Sequence, residues 1–138
     1  MSRGLTNCNP GNIRQSKTRY KGERRPSRDS EFKEFESMAY GYRAMFVLLD
    51  TYSRRYGLCT IRKMLNRYAP PSENFTEGYI RFVSEKTGIA PDEIVNSRAA
   101  RDMVPIVAAM SQIENGKPAV MADVHRGWEL FEGGVVSL

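Results

Sequence analysis

The stretch from Ser37 to Gly57 constrains the fold most. Met38, Tyr42, Met45, Phe46, Leu49, Tyr52 and Tyr56 recur at helical spacing, Ser37 is placed to cap the first turn, and Gly57 to end the last. A stripe of that width reads as core rather than as a ligand surface, so the rest of the chain has to cover it. Gly41 lies inside the helix, where glycine costs roughly 1 kcal/mol against alanine. Its presence there predicts a close approach of another backbone.

Shorter helices follow. Thr60 caps a second, with Ile61, Met64, Leu65 and Tyr68 inward and Pro70-Pro71 as its stop. Phe75, Tyr79, Phe82 and Val83 predict a third ending before Gly88, and Ile89-Ala90-Pro91 a short fourth. Val120, Val124, Trp128 and Phe131 predict a last amphipathic helix ended by Gly133-Gly134. Before Ser37 the pattern changes. Asn9-Pro10-Gly11-Asn12 is turn chemistry, Tyr20-Lys21-Gly22-Glu23 reads as a short strand running into a turn, and Phe32 and Phe35 return the chain to the core. The expectation is a mainly α (α+β) single domain over residues 1–138, with five to six helices and a small N-terminal β-hairpin carrying a basic loop.

The candidate chemistry sits near the end of the chain, at Pro105-Ile-Val-Ala-Ala-Met-Ser-Gln-Ile-Glu114-Asn115-Gly116. Pro105 suits the first turn of a helix and Gly116 the position just past its end. Val104, Val107, Ala108 and Met110, continued by Ile113, form its apolar stripe. Glu114 is thereby offered at the last turn of a largely buried helix, at the negative pole of its dipole. Burial and the dipole both raise a carboxyl pKa, which keeps the acid protonated near neutral pH. The plain alternative is a solvated glutamate at a helix end.

The remaining motifs narrow the field by exclusion. The sequence has no glycine-rich phosphate loop, no HExxH and no GxSxG. Cys8, Cys59 and a single histidine, His125, give neither a zinc pattern nor a recognisable Cys–His nucleophile, and both cysteines read as reduced. No metal or cofactor is expected. Carboxylate chemistry remains, with Glu114 as acid and Glu23, Glu34, Glu36 or Glu73 as possible second carboxylates. The loop Tyr68-Ala69-Pro70-Pro71-Ser72-Glu73-Asn74-Phe75-Thr76 combines rigid prolines with hydroxyl, carboxylate, amide and aromatic groups. Sugar sites use that mixture, and so do rigid turns with Ser72, Asn74 or Thr76 as a helix cap.

The formal net charge is +5, and Arg14, Lys17, Arg19, Lys21, Arg24, Arg25 and Arg28 concentrate positive charge early. A basic balance suits nucleic acid, anionic lipid or an anionic cell wall. No helix dense in Arg, Lys and Asn reads as a recognition helix, so nucleic acid is not the expected partner.

Several blocks in order carry a resemblance: Asn9-Pro10-Gly11-Asn12-Ile13-Arg14, Phe32-x-x-Phe35-x-Ser37, Tyr52-x-x-x-Tyr56-Gly57-Leu58, Tyr68-Ala69-Pro70-Pro71-Ser72-Glu73-Asn74-x-Thr76-x-x-Tyr79 and Glu114-Asn115-Gly116. Over nearly the whole chain they resemble a phage and prophage family of virion-associated lytic proteins, similar to the lytic muramidase of enveloped double-stranded-RNA phages. In a different order they also resemble lysozyme-like peptidoglycan hydrolases and lytic transglycosylases, the order a circular permutation gives. Permutation is tolerated where the old termini lie close together at the surface.

The resemblance implies a lysozyme-like fold in which Glu114 is the general acid. Asn9 and Asn12 shape the β side of a cleft, Tyr68, Ser72, Glu73, Asn74 and Tyr79 line the sugar side, and Asn9, Asn12 and Asn115 count with these among the substrate-binding residues. The implied activity is cleavage of peptidoglycan glycan strands, by hydrolysis or by transglycosylation. The alternative is a non-catalytic phage structural or glycan-binding protein that retains the fold, with virion components as partners. The N-terminal residues lack the apolar run of a secretory signal and no stretch is apolar enough to span a membrane. Synthesis in the cytoplasm and action at the bacterial cell wall, from the virion or after holin release, are the corresponding expectations.

Overall fold

The computed structural model describes residues 1–135. In chain order they form α1 (Arg3–Thr6), β1 (Glu23–Arg24), β2 (Glu34–Phe35), α2 (Met38–Tyr56), α3 (Ile61–Tyr68), α4 (Thr76–Thr87), α5 (Ala100–Asn115) and α6 (Met121–Val135). The chain is mainly helical, with one antiparallel hairpin near its start that sets Glu23 opposite Phe35 and Arg24 opposite Glu34. No described helix is long and apolar enough to cross a membrane.

Helix α2 is the centre. The Ser37 hydroxyl accepts the Tyr40 amide, and Gly57 closes the other end in the left-handed conformation at φ 68°. Tyr42, Met45, Phe46, Leu49 and Tyr52 are buried on it, and α6 and α5 pack against it. Trp128 and Phe131 of α6 sit 5.0 and 6.1 Å, centroid to centroid, from the Phe46 ring. Helix α5 contributes Met103, Val104, Ile106, Val107, Ala109 and Met110 to the same core. The Tyr42 hydroxyl is bonded to Ser111 at 2.8 Å, which satisfies two polar groups inside it. The Thr60 hydroxyl caps α3, as its position suggests.

Several expectations are corrected. No helix forms after Pro91, because the backbone there is committed elsewhere. The Pro91 carbonyl accepts the Arg62 amide and Val95 N donates to the Cys59 carbonyl, so the segment caps the start of α3. Helix α5 begins at Ala100, which puts Pro105 inside it rather than in its first turn. The Arg101 carbonyl thereby loses its usual amide partner, a cost tolerated because Met103 and Val104, ahead of the proline, are anchored in the core. Around Gly22 the turn precedes the strand instead of following it. Gly133 and Gly134 do not stop α6, which runs to Val135.

Tyr56, Phe75, Ile113 and Val120, read as inward, are exposed. Phase drift along each helix, and a later start for α4 and α6, turn them outward. Helix α1, capped by Ser2, has four residues and carries no period to be read from sequence.

The hairpin is pinned by charge. Lys33 is fully buried, with Nζ 3.2 Å from both Glu23 oxygens and 2.8 Å from the Thr18 carbonyl. Arg25 also donates to Glu23 at 2.9 Å, and Arg28 donates to Glu34. Burial pushes the Glu23 carboxyl up, but Arg25, the Tyr20 amide and Lys33 together bring it below its ordinary value. Two of the candidate second carboxylates, Glu23 and Glu34, are therefore structural anions.

Candidate active site

The Asn-Pro-Gly-Asn turn is built from its own side chains. Asn9 is fully buried, its Nδ2 donates to the Ile13 and Lys33 carbonyls at 2.9 and 2.8 Å, and its Oδ1 accepts the Ile13 amide. With every polar atom of its amide engaged it faces the loop interior, so it shapes the site without lining it. The Asn12 amide donates to the Asn9 carbonyl, and Asn12 sits at φ 49°, in the left-handed region that asparagine tolerates best after glycine. That conformation turns its side chain toward the end of α5.

Two glycines let other elements reach this turn. A Cβ on Gly41 of α2 would lie 2.2 Å from the Cys8 carbonyl oxygen, which accounts for a glycine in mid-helix. One on Gly11 would lie 2.2 Å from the Tyr68 hydroxyl, which donates to the Gly11 carbonyl at 2.5 Å. On the other side, Asn115 Nδ2 donates to the Pro10 carbonyl at 2.8 Å and its Oδ1 accepts from the Ser2 hydroxyl at 2.7 Å. Asn115 thus ties α5 to the turn and is spent on that task rather than presented to a ligand.

Glu114 occupies the last turn of α5, half-buried. Asn12 Nδ2 donates to its Oε1 at 2.9 Å and the Tyr79 hydroxyl to its Oε2 at 2.9 Å. Burial raises the Glu114 carboxyl above its ordinary value, and the Asn12 and Tyr79 hydrogen bonds oppose that without reversing it. Burial, and then the nearby Glu114 charge, hold the Tyr68 and Tyr79 phenols well above the usual tyrosine range, so both are O–H donors at physiological pH. Asn12 Oδ1 is buried without a partner, directly beside this carboxyl.

Glu114 opens on a cavity of about 400 Å³. Gly11, Asn12, Ile13 and Arg14 of the N-terminal turn form one part of its wall, with Phe32 beside them. Leu48 and Tyr52 of α2 and Arg67 to Pro70 at the end of α3, with Glu73 and Asn74, form the rest. The lining mixes aromatic and aliphatic side chains with amide, carboxylate and guanidinium groups, a composition suited to a saccharide ring.

Of the residues singled out from sequence, Asn12, Tyr68, Glu73, Asn74 and Glu114 come together on this cavity, and Tyr79 stands behind the acid. Asn9 and Asn115 support it from within. Ser72 is exposed and outside the lining, because Pro70 and Pro71 start a turn that carries it outward. Thr76 caps no amide and donates to the Ala69 carbonyl instead. Glu36 is exposed and away from the cavity, which leaves Glu73 as the second carboxylate of the lining.

Sequence reasoning missed Arg14, Phe32, Leu48, Tyr52 and Arg67 as lining residues. Arg14 and Phe32 lie within the blocks that carry the resemblance, and Arg67 is next to Tyr68. Tyr52 was hidden by its place on a helical core stripe. Among the described residues no three His, Cys, Asp or Glu side chains cluster in metal-binding range.

The early positive charge is partly neutralised. Arg14 pairs with Glu31, Arg25 with Glu23 and Arg28 with Glu34, while Lys17, Arg19, Lys21 and Arg24 are exposed on the hairpin side of the molecule.

No family model matches the chain. Over 132 residues, 93% of this chain and 81% of the relative, it is 36% identical to "Protein P5" of Pseudoalteromonas phage PM2.

Proposed function

The chain belongs to the family of that phage protein, and we propose that it cleaves the glycan strands of bacterial peptidoglycan, as a phage lytic protein acting at the cell wall. The observation that carries this reading is the half-buried Glu114 carboxyl, raised by burial and held between Asn12 and Tyr79 on the floor of a saccharide-sized groove.

In this reading the protonated Glu114 donates its proton to the glycosidic oxygen. The bond from that oxygen to the anomeric carbon breaks, and the leaving sugar departs as an alcohol. The resulting carboxylate is the form that Asn12 Nδ2 and the Tyr79 hydroxyl stabilise, so both hydrogen bonds strengthen as the proton leaves. The same carboxylate then takes a proton from the attacking hydroxyl. That hydroxyl belongs to the sugar itself in transglycosylation, or to water, with Glu73 as the further carboxylate of the groove, in hydrolysis. Proton transfer of this kind contributes roughly 10²–10⁴-fold to rate. The meeting of an Asn-rich β-side turn with a glutamate-bearing helix end supports a permuted lysozyme-like cleft.

Purified sacculi distinguish the outcomes. Wild-type protein is expected to release soluble muropeptides, and Glu114→Gln to release almost none. Absence of release by the wild type, or equal release by both, rejects the proposal, and tight binding without release favours a glycan-binding structural protein.

A further inference from the structure

One cation of the groove is set against aromatic rings rather than beside a carboxylate. Arg67, near the end of α3, lines the cavity, and its guanidinium lies 4.3 Å from the Tyr56 ring centroid and 5.4 Å from that of Tyr52. Among the described residues no carboxylate comes within ion-pairing distance of it. The contrast with the other cations of the neighbourhood is direct: Arg14 pairs with Glu31 at 3.6 Å, and Arg3 with Asp29. Tyr56, turned outward at the end of α2, presents its ring to this guanidinium.

Cation–π contact with two rings positions a guanidinium whose planar fork of N–H groups suits a carboxylate through two parallel hydrogen bonds. Glu114 is held by Asn12 and Tyr79 rather than by this guanidinium, and Glu73 is exposed and beyond pairing distance.

We propose that Arg67, carried on Tyr52 and Tyr56, makes the groove selective for a saccharide that bears a carboxylate. The ligand class is an acidic amino sugar, with its carboxylate on an ether-linked acid or on the peptide attached to it, rather than a neutral chitin-type chain. This rests on the groove being the glycan site proposed above, and it deepens that reading by naming the residue that selects the substrate.

The test is binding, separate from turnover. In the full-length Glu114→Gln protein, affinities are measured by calorimetry for N-acetylglucosaminyl-N-acetylmuramyl dipeptide and for neutral chitobiose. The acidic disaccharide is expected to bind more tightly. Arg67→Gln in the same background is expected to weaken it about tenfold, the scale of one charge-assisted contact, and to leave chitobiose within about twofold. Arg67→Lys restores only part of the loss, because a point charge lacks the planar fork, and raised salt reproduces part of it. Equal affinity for the two sugars, an equal loss for both in Arg67→Gln, or no binding of either overturns the proposal. If sacculi are cleaved but Arg67→Gln keeps the preference, the selectivity idea fails and cleavage stands. If the acidic sugar binds through Arg67 but wild type releases nothing from sacculi, cleavage fails and the selectivity stands.

Discussion

Replacing Gly41 by alanine tests how the site is held. Helix propensity alone predicts a gain of roughly 1 kcal/mol from the change. The structure predicts the opposite sign. The new Cβ would lie 2.2 Å from the Cys8 carbonyl oxygen and 2.6 Å from Pro10 Cδ. A relaxed carbon–oxygen contact is about 3.3 Å, so the turn has to retreat by about 1 Å. Helix α2 cannot yield instead, because its other face is locked against Trp128 and Phe131. Overpacking of this kind costs about 1–3 kcal/mol, and the propensity gain offsets part of it, leaving a net loss of up to about 2 kcal/mol.

The displaced segment carries Asn12, whose 2.9 Å bond to Glu114 would open to near 4 Å and cease to be a hydrogen bond. Urea denaturation reads the stability, and a carboxyl-carbon NMR titration reads the site. Losing the Asn12 donor moves the Glu114 titration to higher pH, since that bond favours the charged form. On the proposed function, turnover of sacculi falls by about 10²-fold for a misplacement of this size. A Gly41→Ala protein that is more stable by the full propensity gain, with an unmoved Glu114 titration, refutes the claim that this close approach positions the acid.

Further outcomes follow from the same contacts. Tyr79→Phe removes the other donor to Glu114, so the alkaline limb of the sacculus-cleavage profile moves upward, and a downward shift contradicts the assignment. Glu114 has a native pKa above its unfolded value, so the stability it contributes is complete below the unfolded pKa and is lost as pH rises through the native one. Glu114→Gln therefore gains on wild type between acid and neutral pH in urea midpoints. Glu23→Leu strands the fully buried Lys33 ammonium and costs about 3–5 kcal/mol, most of which the double change Glu23→Leu with Lys33→Met recovers. Arg3, with help from the Glu31 amide, holds the Asp29 carboxyl far below the usual carboxylate range. Its stabilisation is present above the unfolded pKa and lost as pH falls toward the native one, so Asp29→Asn is less stable than wild type at neutral pH and the gap narrows in acid.

What could be read from the chain follows from the range of each interaction. Ser37, Gly57, Thr60, Gly88 and Gly116 mark helix ends through contacts spanning a few residues, and the structure places ends at those positions. The stripe on α2 and the glycine inside it were legible for the same reason: period and propensity are local, and a costly glycine in a strong helix demands an external cause. Glu114 at the end of a buried helix was legible because the apolar run stops there.

Assembly of the groove was not legible. The Asn12–Glu114 bond joins residues 102 apart in the chain, and the Tyr79–Glu114 bond residues 35 apart. Arg67 finds its two tyrosine rings only once α2 and α3 have packed. The loop after Pro91 is helix-like in composition, but its hydrogen bonds are claimed by the start of α3. Local spacing assigned the five longer helices, several of their caps and the place of Glu114 at a helix end. The partners of Glu114, the fate of Glu23 and Glu34 as structural anions, and the seat of Arg67 against two tyrosine rings were decided by packing, because burial and pairing of this kind exist only when the folded chain brings those groups together.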